Sequence, residues 1–165
     1  MARSMAPPLG VLFVCTGNIC RSPTAHGVLL RMVREAGLAD RVRVDSAGTH
    51  GYHVGEPPDA RTQTHARRRG YDLSALRARQ VARDDFERFD RILAMDRGHL
   101  AILRRLAPAG FEGLGLFMDY AQPSRGRDVP DPYYGGDAGF ERVLDMIELA
   151  AVGLLDSLRR AEQGD

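Results

Sequence analysis

The sequence predicts an α/β fold: a single domain with a four-stranded, mainly parallel twisted sheet and helices on both faces. Three observations lead there. Short apolar runs of strand length alternate along the chain with longer segments of helical spacing. The first run, Val11-Leu-Phe-Val14, is apolar without alternation, as a strand buried on both faces must be. The length, 165 residues, suits one compact domain with a real core.

The elements follow in order. Gly10 to Val14 is the first strand, and the loop Cys15-Thr-Gly-Asn-Ile-Cys20 comes directly after it. Ser22-Pro23 then supplies an N-cap and a proline at the first helical position. Ala25, Val28, Leu29 and Met32 share one face of the first helix, which Gly37 closes. Arg41 to Asp45 is the second strand, with Val42 and Val44 in alternation. Ser46 to Pro58 reads as a loop rich in Gly, Pro and His. Asp59 to Arg69 is a helix stopped by Gly70. A short helix around Asp84 to Arg88 leads into the third strand, Arg91 to Met95. Arg97 to Leu106 is helical, and Leu114 to Met118 is the fourth strand. Asp119 to Gly136 is a long loop with three prolines. Phe140, Val143, Leu144, Ile147, Leu154 and Leu155 keep helical spacing in a final helix from Asp137 to about Arg160.

Residues 1–8 read as a loose N-terminal extension and residues 9–162 as one domain, without linker, repeat or low-complexity segment. Met1 to Pro8 holds no apolar stretch long enough for a signal peptide, and Val11 to Val14 is too short to span a membrane. The net charge of +1 gives no basic footprint for nucleic acid. The positive charge is all arginine, with no lysine at any position. That excludes the Gly-Lys-Ser/Thr loop of nucleotide hydrolases and Schiff-base or pyridoxal chemistry. The five histidines show no metal-binding spacing, so neither metal nor cofactor is expected. Two cysteines in one short loop fit a reducing, cytoplasmic compartment and a chemical role for at least one of them.

That loop carries the chemistry. Cys15 and Arg21 are separated by five residues, between a buried strand and a helix N-terminus. In open parallel sheets ligands bind beyond the carboxyl ends of the strands. A helix N-terminus leaves N–H groups unpaired and favours an anion, and successive N–H groups of a tight loop form a nest for a tetrahedral oxyanion. Gly17 lets the backbone approach closely, and Asn18 tolerates a left-handed conformation. The planar fork of Arg21 can hold two oxygens at once. Such surroundings favour the thiolate, and a thiolate beneath a bound phosphate is an in-line nucleophile. Ser22 is placed to bond Cys15 and to ease its later departure. Without these neighbours, a Cys-x5-Arg spacing would read as a buried cysteine beside a capping arginine.

The segment Val11-Leu-Phe-Val-Cys-Thr-Gly-Asn-Ile-Cys-Arg-Ser-Pro23 resembles the signature of low-molecular-weight protein tyrosine phosphatases, bacterial type. Asp45-Ser-Ala47, Gly55 with Pro57-Pro-Asp59, Ala78-Arg-Gln80, Ala94-Met-Asp96 and Asp131-Pro-Tyr-Tyr-Gly135 resemble further landmarks of that family, in its order. The resemblance implies hydrolysis of phosphotyrosine through a phosphocysteine on Cys15, with Arg21 and the N–H groups of Thr16 to Cys20 binding phosphate. It implies Asp131, between Pro130 and Pro132, as general acid and base, with Asp128 the nearest competitor. Asn18, Ser22 and Ser46 match the polar network that shapes the phosphate loop. A family histidine just before Gly70 is expected to bond that asparagine; here Arg69 stands there, and His65 lies one helical turn away. Tyr52 and Tyr133 match residues flanking the substrate ring, and Tyr134 is either a third wall or core. Cys20 matches a cysteine that forms a reversible disulfide with the nucleophile. Asp96, at the end of a strand, is placed either to face the site or to cap the helix that follows, and the cap is the expectation. The partners implied are phosphotyrosine proteins and a bacterial tyrosine kinase.

Three other functions are open to the same scaffold. Arsenate reduction needs a further resolving thiol, and none follows Cys20. Arginine phosphatases resemble this chain but carry threonine where Ile19 stands, and apolar Ile19 suits an aryl ring better than a guanidinium. A non-catalytic anion-binding module has no need of Asp131 between two prolines.

Overall fold

A computed structural model describes residues 6–122, 126–133 and 136–164. The strands are β1 (Leu9–Cys15), β2 (Val42–Gly48), β3 (Arg91–Ala94) and β4 (Leu114–Leu116). The helices are α1 (Arg21–Glu35), α2 (Ala60–Arg68), α3 (Asp85–Arg88), α4 (Arg97–Leu106) and α5 (Asp137–Glu162). The strands form one sheet in the order β2-β1-β3-β4, every pair parallel. The chain crosses over through α1 to one side of β1 and through α2 and α3 to the other. The reversal falls between β1 and β3, and the carboxyl ends there frame a crevice.

The predicted two-sided burial of β1 is present. Val11, Phe13 and Cys15 face a core shared with α1 and α5, while Leu12 and Val14 face one shared with α3 and α4. Phe13 is fully buried and meets Phe117 edge to face at 4.8 Å between centroids. Burying a side chain of that size contributes about 1.5–3 kcal/mol.

Three boundaries differ from expectation. Ser22 is not the N-cap of α1: the helix starts at Arg21, with Cys20 at the cap position and no side-chain capping bond. Ser22 lies inside the first turn, its hydroxyl drawn into the loop network described below. β2 runs on through Ser46, Ala47 and Gly48, the stretch expected to open a loop, because β1 extends to Cys15 and pairs each of them. Pairing with a continuing neighbour outweighs their weak strand propensity. β4 stops at Leu116, and Phe117 to Tyr120 form a 3-10 turn that buries both Phe117 and Met118.

Candidate active site

β1 delivers Cys15 to the base of a loop, and α1 delivers Arg21 to its far end. The loop's outward groups are tied down. The carbonyls of Cys15 and Thr16 accept from the N–H groups of Thr49 and His50 at 2.8 and 3.0 Å, and that of Ile19 accepts from Asp59 at 2.9 Å. Among the described residues, the N–H groups of Gly17, Asn18, Ile19 and Cys20 donate to no protein acceptor. Asn18 is the one described non-glycine residue with positive φ, at 58°. That left-handed kink folds successive N–H groups into a nest.

A chain of hydrogen bonds holds the kink. The Arg79 N–H donates to Asn18 Oδ1 at 3.0 Å, and Asn18 Nδ2 donates to Ser22 Oγ at 2.8 Å. Ser22 Oγ lies 3.0 Å from Cys15 Sγ and 3.4 Å from the Ala47 carbonyl. With Oγ accepting from Asn18, its single proton has two acceptors within reach, the Ala47 carbonyl at 3.4 Å and the nearer Cys15 sulfur at 3.0 Å. Arg79 is itself pinned between Asp45 and the buried Asp85. Ser46 bonds His26 of α1 at 3.0 Å and reaches neither Asn18 nor Ser22. Neither His65 nor Arg69 closes the network. His65 pairs with Asp137 and Glu141, and Arg69 with Glu141, Asp145 and Glu148, all on α5. Burial pushes the Cys20 thiol up to about 12, and the Asp59 carboxylate adds to the effect. Cys15 and Cys20 are both free thiols.

Arg21 is a buried cation, its side chain 5 % exposed. Such a charge needs partners with good geometry. Nη1 donates to Asp96 Oδ2 at 2.8 Å and to the Val129 carbonyl at 3.0 Å. Nη2 points toward Asp131 Oδ2 at 3.7 Å. Asp96 also caps α4 as expected, accepting from the His99 N–H at 2.9 Å. Burial opposes ionisation of Asp96, yet the His99 N–H and the Arg21 guanidinium hold its carboxyl below the usual range. Asp128, the competitor to Asp131, accepts from Arg97 N at 3.0 Å.

These groups converge on a pocket of about 250 Å³. Cys15, Thr16, Gly17, Ile19, Cys20 and Arg21 form its floor and inner wall, and Asp131, Tyr52, His53 and Tyr133 its mouth. Asp131 Oδ1 accepts from Tyr133 N at 3.0 Å, which closes a turn over Pro132. Arg61 of α2 donates to the Tyr133 carbonyl at 2.9 Å and lies over the Tyr133 and Phe140 rings, fixing that turn to α2. Tyr52 is 71 % exposed and stacks on His50. Tyr134 lies outside the described residues.

Four residues of this site were given no role from the sequence. His53 rests on the loop: a Cβ at Gly17 would stand 2.9 Å from its ring. Arg79 supplies a backbone N–H, which no side-chain pattern reveals. Arg61 acts from another helix. His99 places Nε2 at 2.7 Å from Thr16 Oγ1 and 3.5 Å from Arg21 Nη2. Its signal was the Asp96-x-x-His99 spacing, which turns the histidine to the same helix face as the capping aspartate.

Fold and loop together define a class: α/β proteins in which a central parallel strand enters a helix through a loop of inward N–H groups, an arrangement suited to a tetrahedral oxyanion. Within that class the chain belongs to the low molecular weight phosphotyrosine protein phosphatase family, whose sequence profile matches residues 10–164. It is thereby an enzyme of the phosphoric monoester hydrolases. It is 47 % identical over 158 residues to a low molecular weight protein-tyrosine-phosphatase of Streptomyces coelicolor, covering 93 % of this chain and 96 % of that one. The structure of YfkJ from Bacillus subtilis superposes with a TM-score of 0.90 at 38 % identity, covering 96 % of this chain and 99 % of that one. A Drosophila arginine phosphatase superposes with a TM-score of 0.81 at 33 % identity, covering 89 % and 96 %.

Proposed function

We propose that this enzyme hydrolyses phosphotyrosine in proteins through a phosphocysteine on Cys15. The observation that carries the reading is the convergence of the Cys15 thiol, the Arg21 guanidinium and the Asp131 carboxyl on one pocket with Tyr52 and Tyr133 at its mouth. The phosphate seats on the loop N–H groups and the Arg21 fork. The Cys15 thiolate attacks phosphorus in line, and the phenolic oxygen leaves with a proton from Asp131. Asp131 then takes a proton from water, which attacks the phosphocysteine. The Ser22 hydroxyl donates to the departing sulfur.

The pocket mouth suits a flat ring, and a shorter phosphoserine would not carry its phosphate to the thiol. The arginine phosphatase likeness makes the scaffold alone undiagnostic of substrate; apolar Ile19 in the pocket wall favours the aryl group. The test compares kcat/KM for phosphotyrosine, phosphoarginine and phosphoserine peptides. Phosphotyrosine is expected to lead, and a phosphoarginine preference would overturn the reading.

Cys20 serves as a reversible disulfide partner that shields Cys15 from further oxidation. Its protonated, buried state makes it a poor nucleophile toward phosphorus; once a peroxide oxidises Cys15 to the sulfenic acid, the Cys20 thiol condenses with it and water leaves. A cytoplasmic setting suits two free thiols, and a bacterial tyrosine kinase is the partner whose phosphate the enzyme would remove. Among the described residues no helix is long and apolar enough to cross a membrane.

A further inference from the structure

The geometry points to His99 as a positioning residue that, in its neutral Nδ1–H form, holds both Thr16 of the phosphate loop and the Arg21 clamp. The inference rests on the phosphate-binding role of that loop.

His99 is 4 % exposed, in the first turn of α4, on the far side of the crevice from α1. Its Nε2 stands between two groups, Thr16 Oγ1 at 2.7 Å and Arg21 Nη2 at 3.5 Å. A guanidinium can only donate, so a favourable contact needs Nε2 to be an acceptor. The Thr16 hydroxyl must then donate to the same lone pair's neighbourhood, and the ring proton is left on Nδ1. Nδ1 has no aligned acceptor, although Asp96 Oδ1 lies 3.1 Å away. That oxygen also accepts the His99 backbone N–H. Because the contact lacks hydrogen-bond alignment, the carboxylate beside Nδ1–H is an electrostatic neighbour rather than a hydrogen-bond partner.

The charges facing His99 come from three elements: Arg21 on α1, Asp96 at its own helix start, and Asp131 and Asp128 on the loop before α5. A second proton would put an N–H against the Arg21 guanidinium and leave the Thr16 hydroxyl without its acceptor. Burial, and then Arg21, hold the imidazole down to about 4, so the neutral form persists across the physiological range. The ring thus links the start of the N–H nest to the side chain that grips the other phosphate oxygens. Removing the acceptor releases the Thr16 hydroxyl and the Nη2 end of Arg21 together, while Nη1 stays on Asp96 and the Val129 carbonyl.

The experiment measures inorganic phosphate affinity and aryl phosphate kinetics for the wild type, His99→Leu and His99→Gln, together with the tautomer of His99 by nitrogen-15 NMR. The amide oxygen of glutamine reaches the place of Nε2. His99→Leu is expected to weaken phosphate binding and lower kcat/KM by about ten-fold or more, the scale of a lost hydrogen bond to a charged group. His99→Gln is expected to recover most of that loss, and the wild-type spectrum to show Nδ1 protonated and Nε2 bare at pH 6.5. Phosphate affinity unchanged in His99→Leu, a glutamine variant as weak as the leucine one, or an Nε2–H signal would each overturn the assignment. Phosphate binding needs no turnover. A wild type that binds phosphate but spares phosphotyrosine would sink the substrate reading alone, whereas one that binds no phosphate would sink both.

Discussion

At the scale of single residues, the proposed mechanism divides the work between a sulfur, a guanidinium and a carboxyl, and each can be removed separately. Cys15→Ser keeps the nest and Arg21 but replaces the thiol by a hydroxyl that ionises far less readily. Turnover is expected to fall by about 10⁴-fold or more while phosphate still binds. Retained hydrolysis in that variant would show another nucleophile. Asp131→Asn keeps the turn that Tyr133 N closes on Oδ1 but carries no proton to give. Aryl phosphates with poor leaving groups should slow by about 10²–10⁴-fold, and those with good leaving groups much less. Equal loss on both would move the acid elsewhere. Asp128 offers no ready substitute, because it is spent on Arg97 at the start of α4.

At the scale of elements, the loop from Cys15 to Arg21 is shaped as much by β2 as by its own sequence. Gly48 ends β2 beside Cys15, and a Cβ there would stand 2.6 Å from the Thr16 carbonyl oxygen, 3.1 Å from that of His50 and 3.2 Å from Asn18 N. All three are backbone atoms, so the loop itself must move. Gly48→Ala should therefore cost stability on the overpacking scale of about 1–3 kcal/mol. It should also lower kcat/KM by about 10²-fold, since a displaced nest misplaces the phosphate. A variant that loses stability in denaturant titrations but keeps full activity would show that the loop is held some other way. The same contact explains what could be read in advance. The loop's glycine, asparagine, serine and arginine are local in sequence, and a strand before them and a helix after them fix their meaning. Ser46 to Gly48 looked like loop because their role is pairing with β1, a relation between distant segments. Arg79 and Arg61 were missed for the same reason: one contributes only a backbone N–H, and the other reaches the Tyr133 carbonyl from a different helix.

At the scale of the whole molecule, the alternation of strands and helices determines where the site is. The crossovers reverse at β1, so α1, α4 and the loop before α5 all meet beyond its carboxyl end. That much was legible from periodicity, as was the buried character of β1. The protonation states of the groups packed there were not, because they depend on burial that only the folded chain creates. Burial is the main cause that lowers the affinity of His26 and His99 for protons. For His26 the Asp45 carboxylate opposes the effect and Arg79 adds to it; for His99 Arg21 adds to it. In the unfolded chain both take up a proton near pH 6.5, whereas folded His99 waits until about pH 4. Between those values the unfolded state binds more protons, so stability must fall as the pH drops through that window and level off above it. His99 alone should account for about 2 kcal/mol of that fall. The Asp96 carboxyl, held low by His99 and Arg21, adds a further loss only below its ordinary range near 3.8. Denaturant titrations from pH 7.5 to 4.5 should show the wild type weakening toward acid, and His99→Gln weakening less over the same range. A wild type equally stable at both ends would mean that neither imidazole is kept neutral by the fold. Parallel curves for the two proteins would assign the slope to His26 instead.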